Sequence, residues 1–127
     1  MIVVDASAIV EALVGAAPSD DLLDALRGDL EAPHLLDIEV LSALRGLQLG
    51  GRITESQADQ ARANYAALGI NRHEAAPFAE RIWQLRHQFT AYDAAYLALA
   101  EGLAAPLLTC DVKLATPGHQ ASVRLTS

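Results

Sequence analysis

The 127-residue sequence contains a single cysteine, Cys110, and no basic segment ahead of its first apolar residues. One cysteine cannot form a disulfide within the chain, which is typical of proteins from a reducing compartment. The longest uninterrupted apolar runs, such as residues 94–100, are far shorter than the ~20 residues that a membrane-spanning helix needs. We therefore expect a cytoplasmic protein with no signal peptide and no membrane segment.

Basic residues are also scarce. The chain has 9 Lys and Arg residues against 16 Asp and Glu residues, a net charge of −7, which argues against a protein that coats nucleic acid through bulk charge. The deficit is uneven, because residues 1–39 hold nine acids and one base while residues 40–127 hold seven acids and eight bases. Arg45 and Lys113 are therefore candidates for local phosphate binding, and a solvated surface position is the alternative for each.

No repeat, low-complexity tract or linker divides the chain, so we predict one domain over residues 1–127. Apolar strands are predicted at 2–4 and 106–110, with shorter strands near 70–73 and 122–125. Helices are predicted over 6–13, 18–30, 37–49, 54–68, 77–89, 92–103 and 112–115, with residues 33–36 as a connection. Short apolar strands separated by helices indicate an α/β sandwich whose sheet is mainly parallel, with about four to five strands.

Four carboxylates lie in apolar segments at the ends of these elements: Asp5, Glu39, Asp93 and Asp111. An isolated carboxylate is unfavourable there, since burying its charge costs several kcal/mol. Asp5 and Asp111 each follow a strand, and the carboxyl ends of parallel strands meet at one edge of a sheet. Glu39 and Asp93 belong to the first turns of helices. Each acid has a plainer role as a helix cap or first-turn residue, but the four together predict a shared cation.

Convergence of the four acids would require such a cation. Two like charges 4 Å apart repel by about 4 kcal/mol at an effective dielectric of 20. Oxygen ligands select Mg²⁺ or Mn²⁺, whereas the histidines and Cys110 show no zinc-ligand spacing. A carboxylate-bound Mg²⁺ polarises a phosphoryl oxygen and activates a water. The sequence therefore predicts metal-dependent hydrolysis of phosphodiesters, with Asp5 at the centre of the site.

The four segments that carry these acids also resemble a known family. IVVDASA, DIEVLSALR, YDAAYLALA and LLTCDVKL, in this order, are similar to the four acidic motifs of PIN-domain ribonucleases, and the details resemble VapC-type toxins of type II toxin–antitoxin modules. The resemblance spans residues 2–114. It implies that Asp5, Glu39, Asp93 and Asp111 are metal-binding catalytic acids. It also implies that Ser7 and Thr109 are hydroxyl neighbours of the site.

The same resemblance implies a PIN-like three-layer sandwich and an Mg²⁺-dependent endoribonuclease in which Mn²⁺ can substitute. Its implied partners are an RNA substrate, a second copy of the chain in a homodimer, and a cognate VapB-type antitoxin whose C-terminal segment lies along the active-site groove.

Two other functions remain open from the residues alone. A metal-dependent phosphatase is disfavoured, because Ser7 stands where a second acid would be expected two residues after Asp5. A receiver-like phosphotransfer domain is disfavoured because the adjacent pair of acids typical of receivers is missing. A catalytically degenerate PIN domain that acts only by binding protein is disfavoured because all four acids are present. For the aromatic residues we expect plainer roles. Tyr92 and Tyr96 should belong to the apolar stripe of their helix, and Trp83 should lie in the core or at a dimer contact.

Overall fold

The fold is a five-stranded sheet flanked by helices, and the computed structural model describes all of residues 1–127. The strands are β1 (Ile2–Val4), β2 (Leu30–Pro33), β3 (Ile70–His73), β4 (Leu107–Thr109) and β5 (Val123–Leu125). Every neighbouring pair is parallel, in the order β3-β2-β1-β4-β5. The predicted α/β class is confirmed, and the sheet is wholly rather than mainly parallel.

Six α-helices cover the sheet: α1 (Ala6–Val14), α2 (Asp20–Ala25), α3 (Leu35–Leu49), α4 (Glu55–Ala66), α5 (Ala79–Gln84) and α6 (Ala91–Leu103). Two short 3₁₀ helices span Ala76–Phe78 and Val112–Ala115. Helices α1, α3 and α4 contact one another, while α5 packs on α6 and α6 crosses β1, β2 and β4. This gives the three-layer sandwich. None of the helices combines the length and the apolar character that a bilayer span requires.

Four helices begin at a residue whose side chain accepts a hydrogen bond from the backbone N–H three positions later. These residues are Asp5, Ser19, Thr54 and Thr90. At Thr54 the pair with Gln57 is reciprocal, which makes this helix start a capping box. These caps satisfy backbone donors that the first helical turn leaves free. The helix starts at these four positions are therefore encoded locally.

Three expected boundaries are wrong. The helix predicted over 18–30 ends at Ala25, and Leu30–Pro33 forms β2, buried between β1 and β3. Residues 33–36 are consequently no simple connection, because α3 already begins at Leu35. The helix predicted over 77–89 is a 3₁₀ turn followed by the short α5, which ends at Gln84.

The strand order creates a switch point between β1 and β4. From β1 the chain proceeds outward to β2 and β3, and it then returns to the other side of β1 to form β4 and β5. In open α/β sheets, ligands bind beyond the carboxyl ends of the strands where this reversal occurs. Asp5 directly follows β1, and Asp111 lies two residues after β4. The fold therefore brings both strand-end acids to the position where a ligand site is expected.

Candidate acidic active site

Asp5 is the most deeply buried of the four acids, with 6% of its surface exposed. Val4 pairs with Leu108 in the register of β1 and β4, so Asp5 and Thr109 are next to each other at the strand ends. Thr109 donates a hydrogen bond of 2.5 Å from Oγ1 to Oδ2 of Asp5. On the other oxygen, Oδ1 accepts from Ser7 Oγ at 2.7 Å and from the backbone N–H of Ala8 at 3.0 Å. Both oxygens of Asp5 are thus held in fixed directions.

The environment of Asp5 favours its neutral form. Burial raises the pKa of this carboxyl, and it outweighs the hydrogen bonds from Thr109, Ala8 and Ser7, which lower it. The charge of Asp111 adds to the increase. The pKa of this buried acid is raised, and a second acid faces it. A cation between the two would therefore be stabilising.

The hydroxyls of Ser7 and Thr109 also join the end of β4 to the end of β1. Ser7 Oγ accepts from the backbone N–H of Cys110 at 2.9 Å, and Thr109 Oγ1 accepts from that of Asp111 at 2.9 Å. Asp111 in turn accepts at Oδ1 from the backbone N–H of Lys113 at 3.0 Å, which caps the second 3₁₀ helix. The two predicted hydroxyl neighbours are therefore the connection between the two strand-end acids.

Glu39 is placed near the start of α3, where it meets α6. The hydroxyl of Tyr96 donates a hydrogen bond of 2.5 Å to Glu39 Oε1, and Tyr96 is only 2% exposed. Burial raises the pKa of the Tyr96 phenol, as do the hydrogen bond to Glu39 and the charges of Glu39 and Asp5. Tyr96 therefore stays protonated and acts as a donor. This bond ties Glu39 on α3 to α6, the helix that also carries Asp93.

Asp93 lies one turn before Tyr96 on α6, on the same side of the helix. Its backbone N–H is capped by Thr90, and its Oδ2 forms an ion pair with Lys113 Nζ at 3.2 Å. Lys113 is bonded to Asp111 through its backbone and to Asp93 through its side chain. Asp93 and Asp111 are linked in this way by one residue.

A set of hydrogen bonds and one ion pair thus connects Asp5, Asp111 and Asp93. Glu39 is bonded separately to Tyr96, which lies on the same helix as Asp93. In this arrangement no group of three or more His, Cys, Asp or Glu side chains is placed to hold a metal ion. The chemistry of the donors nevertheless fits a hard divalent cation, because every donor is an oxygen and Asp5 is a buried carboxyl with a raised pKa. Arg45, the other predicted phosphate ligand, is exposed on α3 and makes no ion pair.

The sequence interpretation missed Tyr96 as a member of the site. Its burial was expected, but its hydrogen bond to Glu39 depends on how α3 and α6 meet, and the only local signal was its position three residues after Asp93. The expectations for two other aromatic residues are wrong in part. Tyr92 is 62% exposed and does not belong to the buried stripe, and Trp83 is 67% exposed and lies outside the core.

Comparison with known proteins gives the family. The profile of the PIN domain matches residues 2–119. The chain is 46% identical to ribonuclease VapC1 of Mycobacterium tuberculosis, over 97% of this chain and 96% of that protein. It is 39% identical to ribonuclease VapC12 of the same organism, over the whole of both chains. The chain belongs to the PIN-domain family, within its VapC group.

Solved structures agree on the fold of this PIN domain. The crystal structure of the sarcin–ricin loop cleaving toxin VapC20 of M. tuberculosis superposes with a TM-score of 0.70, at 14% identity, over 94% of this chain and 97% of that one. At that identity the likeness concerns the architecture. The expected PIN-like sandwich and the resemblance to the VapC group are both confirmed.

Proposed function

We propose that this PIN domain is the toxin of a toxin–antitoxin module and that it hydrolyses RNA phosphodiester bonds with the help of Mg²⁺. The observation that carries the proposal is the chain of contacts that joins the buried Asp5 to Asp111 and Asp93 at the switch point of the sheet. Glu39 is held by Tyr96 on the helix that also carries Asp93. The relatives in sequence support the activity, since VapC1 and VapC12 are named ribonucleases. The toxin role is supported by VapC20, a toxin that cleaves the sarcin–ricin loop and shares this fold.

Asp5, Glu39 and Asp93 would hold the metal directly, and Asp111 would contact it through water. A bound Mg²⁺ would supply polarisation of a phosphoryl oxygen and a water of lowered pKa. The approach of Mg²⁺ is favoured by the electrostatics of the site, since burial and the charge of Asp111 both disfavour the ionised form of Asp5. Mn²⁺ has similar ligand preferences and should substitute.

The neighbouring polar residues have positioning roles in this proposal. Ser7 and Thr109 donate to opposite oxygens of Asp5 and fix the direction of its free lone pairs. Tyr96 does the same for one oxygen of Glu39 and leaves the other free. Lys113 is the cationic side chain seen beside the acids, and Arg45, exposed on α3, is a second phosphate ligand in this proposal. Together these residues would present carboxylate oxygens to a metal and a positive charge to the substrate backbone.

We also propose an antitoxin partner of the VapB type. Nine of the sixteen acids fall within residues 1–39, and Asp5, Asp93 and Asp111 are joined by direct contacts at the site. A basic C-terminal segment of a partner would be attracted to this edge and would compete there with the divalent cation. Occupation of the edge by such a segment would inhibit cleavage.

We further propose that the chain forms a homodimer through the face beside Asp93. An apolar cavity of about 410 Å³ is lined by Trp83 and Tyr92, together with Ile82 of α5 and Leu35 of α3. Two large aromatic side chains that are more than half exposed next to each other are typical of protein interfaces. A second copy of the chain is the proposed occupant.

RNA cleavage by the purified chain tests the proposal. We expect cleavage of single-stranded RNA with Mg²⁺ or Mn²⁺ and complete loss on chelation with EDTA, which renewed addition of the metal reverses. Cleavage that persists in EDTA would contradict the metal-dependent chemistry. A folded chain that binds the antitoxin but never cleaves RNA would instead indicate the degenerate binding module.

A further inference from the structure

Lys113 is the only lysine in the chain, and it is in the middle of the acidic site. Its ammonium is 3.2 Å from Oδ2 of Asp93, and its backbone N–H is 3.0 Å from Oδ1 of Asp111. The side chain of Lys113 is 52% exposed, whereas that of Asp93 is 24% exposed. The positive charge at this edge of the sheet is therefore the ammonium of Lys113, whose side chain is partly open to solvent.

Another cation can easily replace Lys113 in its ion pair with Asp93. A half-exposed lysine–carboxylate pair contributes little, because water screens it and a long flexible side chain must be immobilised. A divalent cation has twice the charge of the ammonium and can contact more than one carboxylate. With Lys113 bound to Asp93, no three acidic side chains are placed for a metal.

We propose that Lys113 is a built-in counter-cation, which stabilises the acidic site in the absence of metal and which a divalent cation must displace from Asp93 in order to bind. This inference rests on the proposed metal-dependent function and concerns how the same site is regulated. Lys113 thereby lowers the apparent metal affinity of the free protein. It also prevents mutual repulsion among the acids from opening the site before metal arrives.

Displacement would make the ammonium available to the substrate. The backbone bond to Asp111 keeps Lys113 beside the site after its side chain has left Asp93. A phosphate oxygen is then the natural partner for a compact ammonium charge. Metal binding and phosphate binding would be coupled through one side chain, so the site would be complete only when both are present.

Metal affinity measured without RNA tests the proposal. Isothermal titration with Mn²⁺ would compare the wild type with Lys113→Met, Lys113→Arg and Arg62→Met. Arg62 is an exposed base on α4 with no ion pair, so its variant removes the same net charge away from the site. We expect Lys113→Met to bind Mn²⁺ about two- to fivefold more tightly than the wild type, which is the range expected for loss of a half-exposed pair. Lys113→Arg and Arg62→Met should remain near the wild type.

The single lysine also gives a direct structural readout. Acetylation by an N-hydroxysuccinimide ester, followed by mass spectrometry, measures the modification rate of Lys113. The amino terminus serves as an internal reference. Mg²⁺ should increase the modification rate of Lys113 severalfold, because the side chain that has left Asp93 is more accessible to the reagent. In Asp93→Asn the rate should already be high and should not respond to Mg²⁺.

The outcomes separate this inference from the proposed function. Equal or weaker Mn²⁺ binding by Lys113→Met would overturn the counter-cation role and leave metal-dependent cleavage standing. Protection of Lys113 by Mg²⁺, rather than exposure, would overturn it as well. Failure of every variant and of the wild type to bind Mn²⁺ would contradict both.

Discussion

The Tyr96 hydroxyl donates a 2.5 Å hydrogen bond to Glu39 Oε1, which ties α6 to α3 beside the buried Asp5. The donor is 2% exposed and remains protonated, because burial and the charge of Glu39 both raise its pKa. This bond fixes the orientation of an acid that would otherwise be free to rotate in the groove. Glu39 is thus positioned by a residue outside the four acidic positions.

Replacement of this phenol should separate positioning from stability. We expect Tyr96→Phe to reduce the RNA cleavage rate about tenfold, since misplacing a catalytic group by a fraction of an ångström costs this much or more. The matched control is Tyr65→Phe, which removes a 2.6 Å tyrosine–carboxylate bond to Asp37 outside the site. Steady-state cleavage assays should show that only the first variant is impaired. Equal activity in the two variants would contradict the positioning role.

The buried charge of Asp5 should cost stability. Its pKa is raised in the fold by burial, so the ionised form opposes folding at neutral pH, and stability should increase as pH falls through that raised pKa. Asp5→Asn keeps an oxygen for the N–H of Ala8 and removes the charge. We expect the variant to be about 1 kcal/mol more stable than the wild type at pH 7. In urea unfolding the difference should shrink on acidification; a less stable variant at pH 7 would contradict this.

Asp37 should show the opposite pH dependence. Its carboxylate accepts from Arg72 Nε at 2.9 Å and from the hydroxyl of Tyr65, and chiefly the bond from Arg72 lowers its pKa. The stabilisation is present above the unfolded-state pKa and is lost as pH falls through the lowered one. Because Asp37 is more than a third exposed, we expect Asp37→Asn to cost only about 0.5 to 1 kcal/mol at pH 7. Urea unfolding of both proteins below pH 3 should give nearly equal stabilities, and a constant difference at all pH values would argue against a role for the Asp37 charge.

The exposed aromatic face should control the oligomeric state. Trp83 is 67% exposed with the guanidinium of Arg86 4.6 Å from its ring centre. We expect Trp83→Glu to convert a dimer into a monomer in analytical ultracentrifugation, because a charge at the centre of an apolar contact is unfavourable. Leu49→Glu, which changes an exposed apolar residue at the end of α3, should leave the dimer intact. A wild-type chain that is monomeric at high concentration would overturn the assignment of this face.

The sequence was most informative where structure is encoded locally. The strands β1 and β4, which precede Asp5 and Asp111, were predictable because short β-branched or apolar runs act within a few residues. The helices that begin after Thr54 and Thr90 were predictable because caps are local as well. β2 was not predictable in this way. Leu30–Pro33 contains a charged residue and a proline, and only pairing with β1 and β3 makes it a strand.

The acidic site, too, has parts that the sequence predicts and parts that it does not. The four acids could be singled out from their apolar surroundings, and Ser7 and Thr109 from the family resemblance, but the roles of Tyr96 and Lys113 toward the acids could not. Tyr96 and Lys113 reach Glu39 and Asp93 only because α6, α3 and the segment after β4 converge at one edge of the sheet. These contacts join residues distant in sequence, and no local pattern records them.

Asp5 is, in this proposal, the core of a metal-dependent ribonuclease site. Its role is tested by Mg²⁺-dependent cleavage of RNA by the wild type and by Asp5→Asn, with thermal unfolding recorded for both. We predict cleavage by the wild type and a loss of at least about a hundredfold in a variant that is fully folded and at least as stable. Cleavage by folded Asp5→Asn at the rate of the wild type would contradict this role.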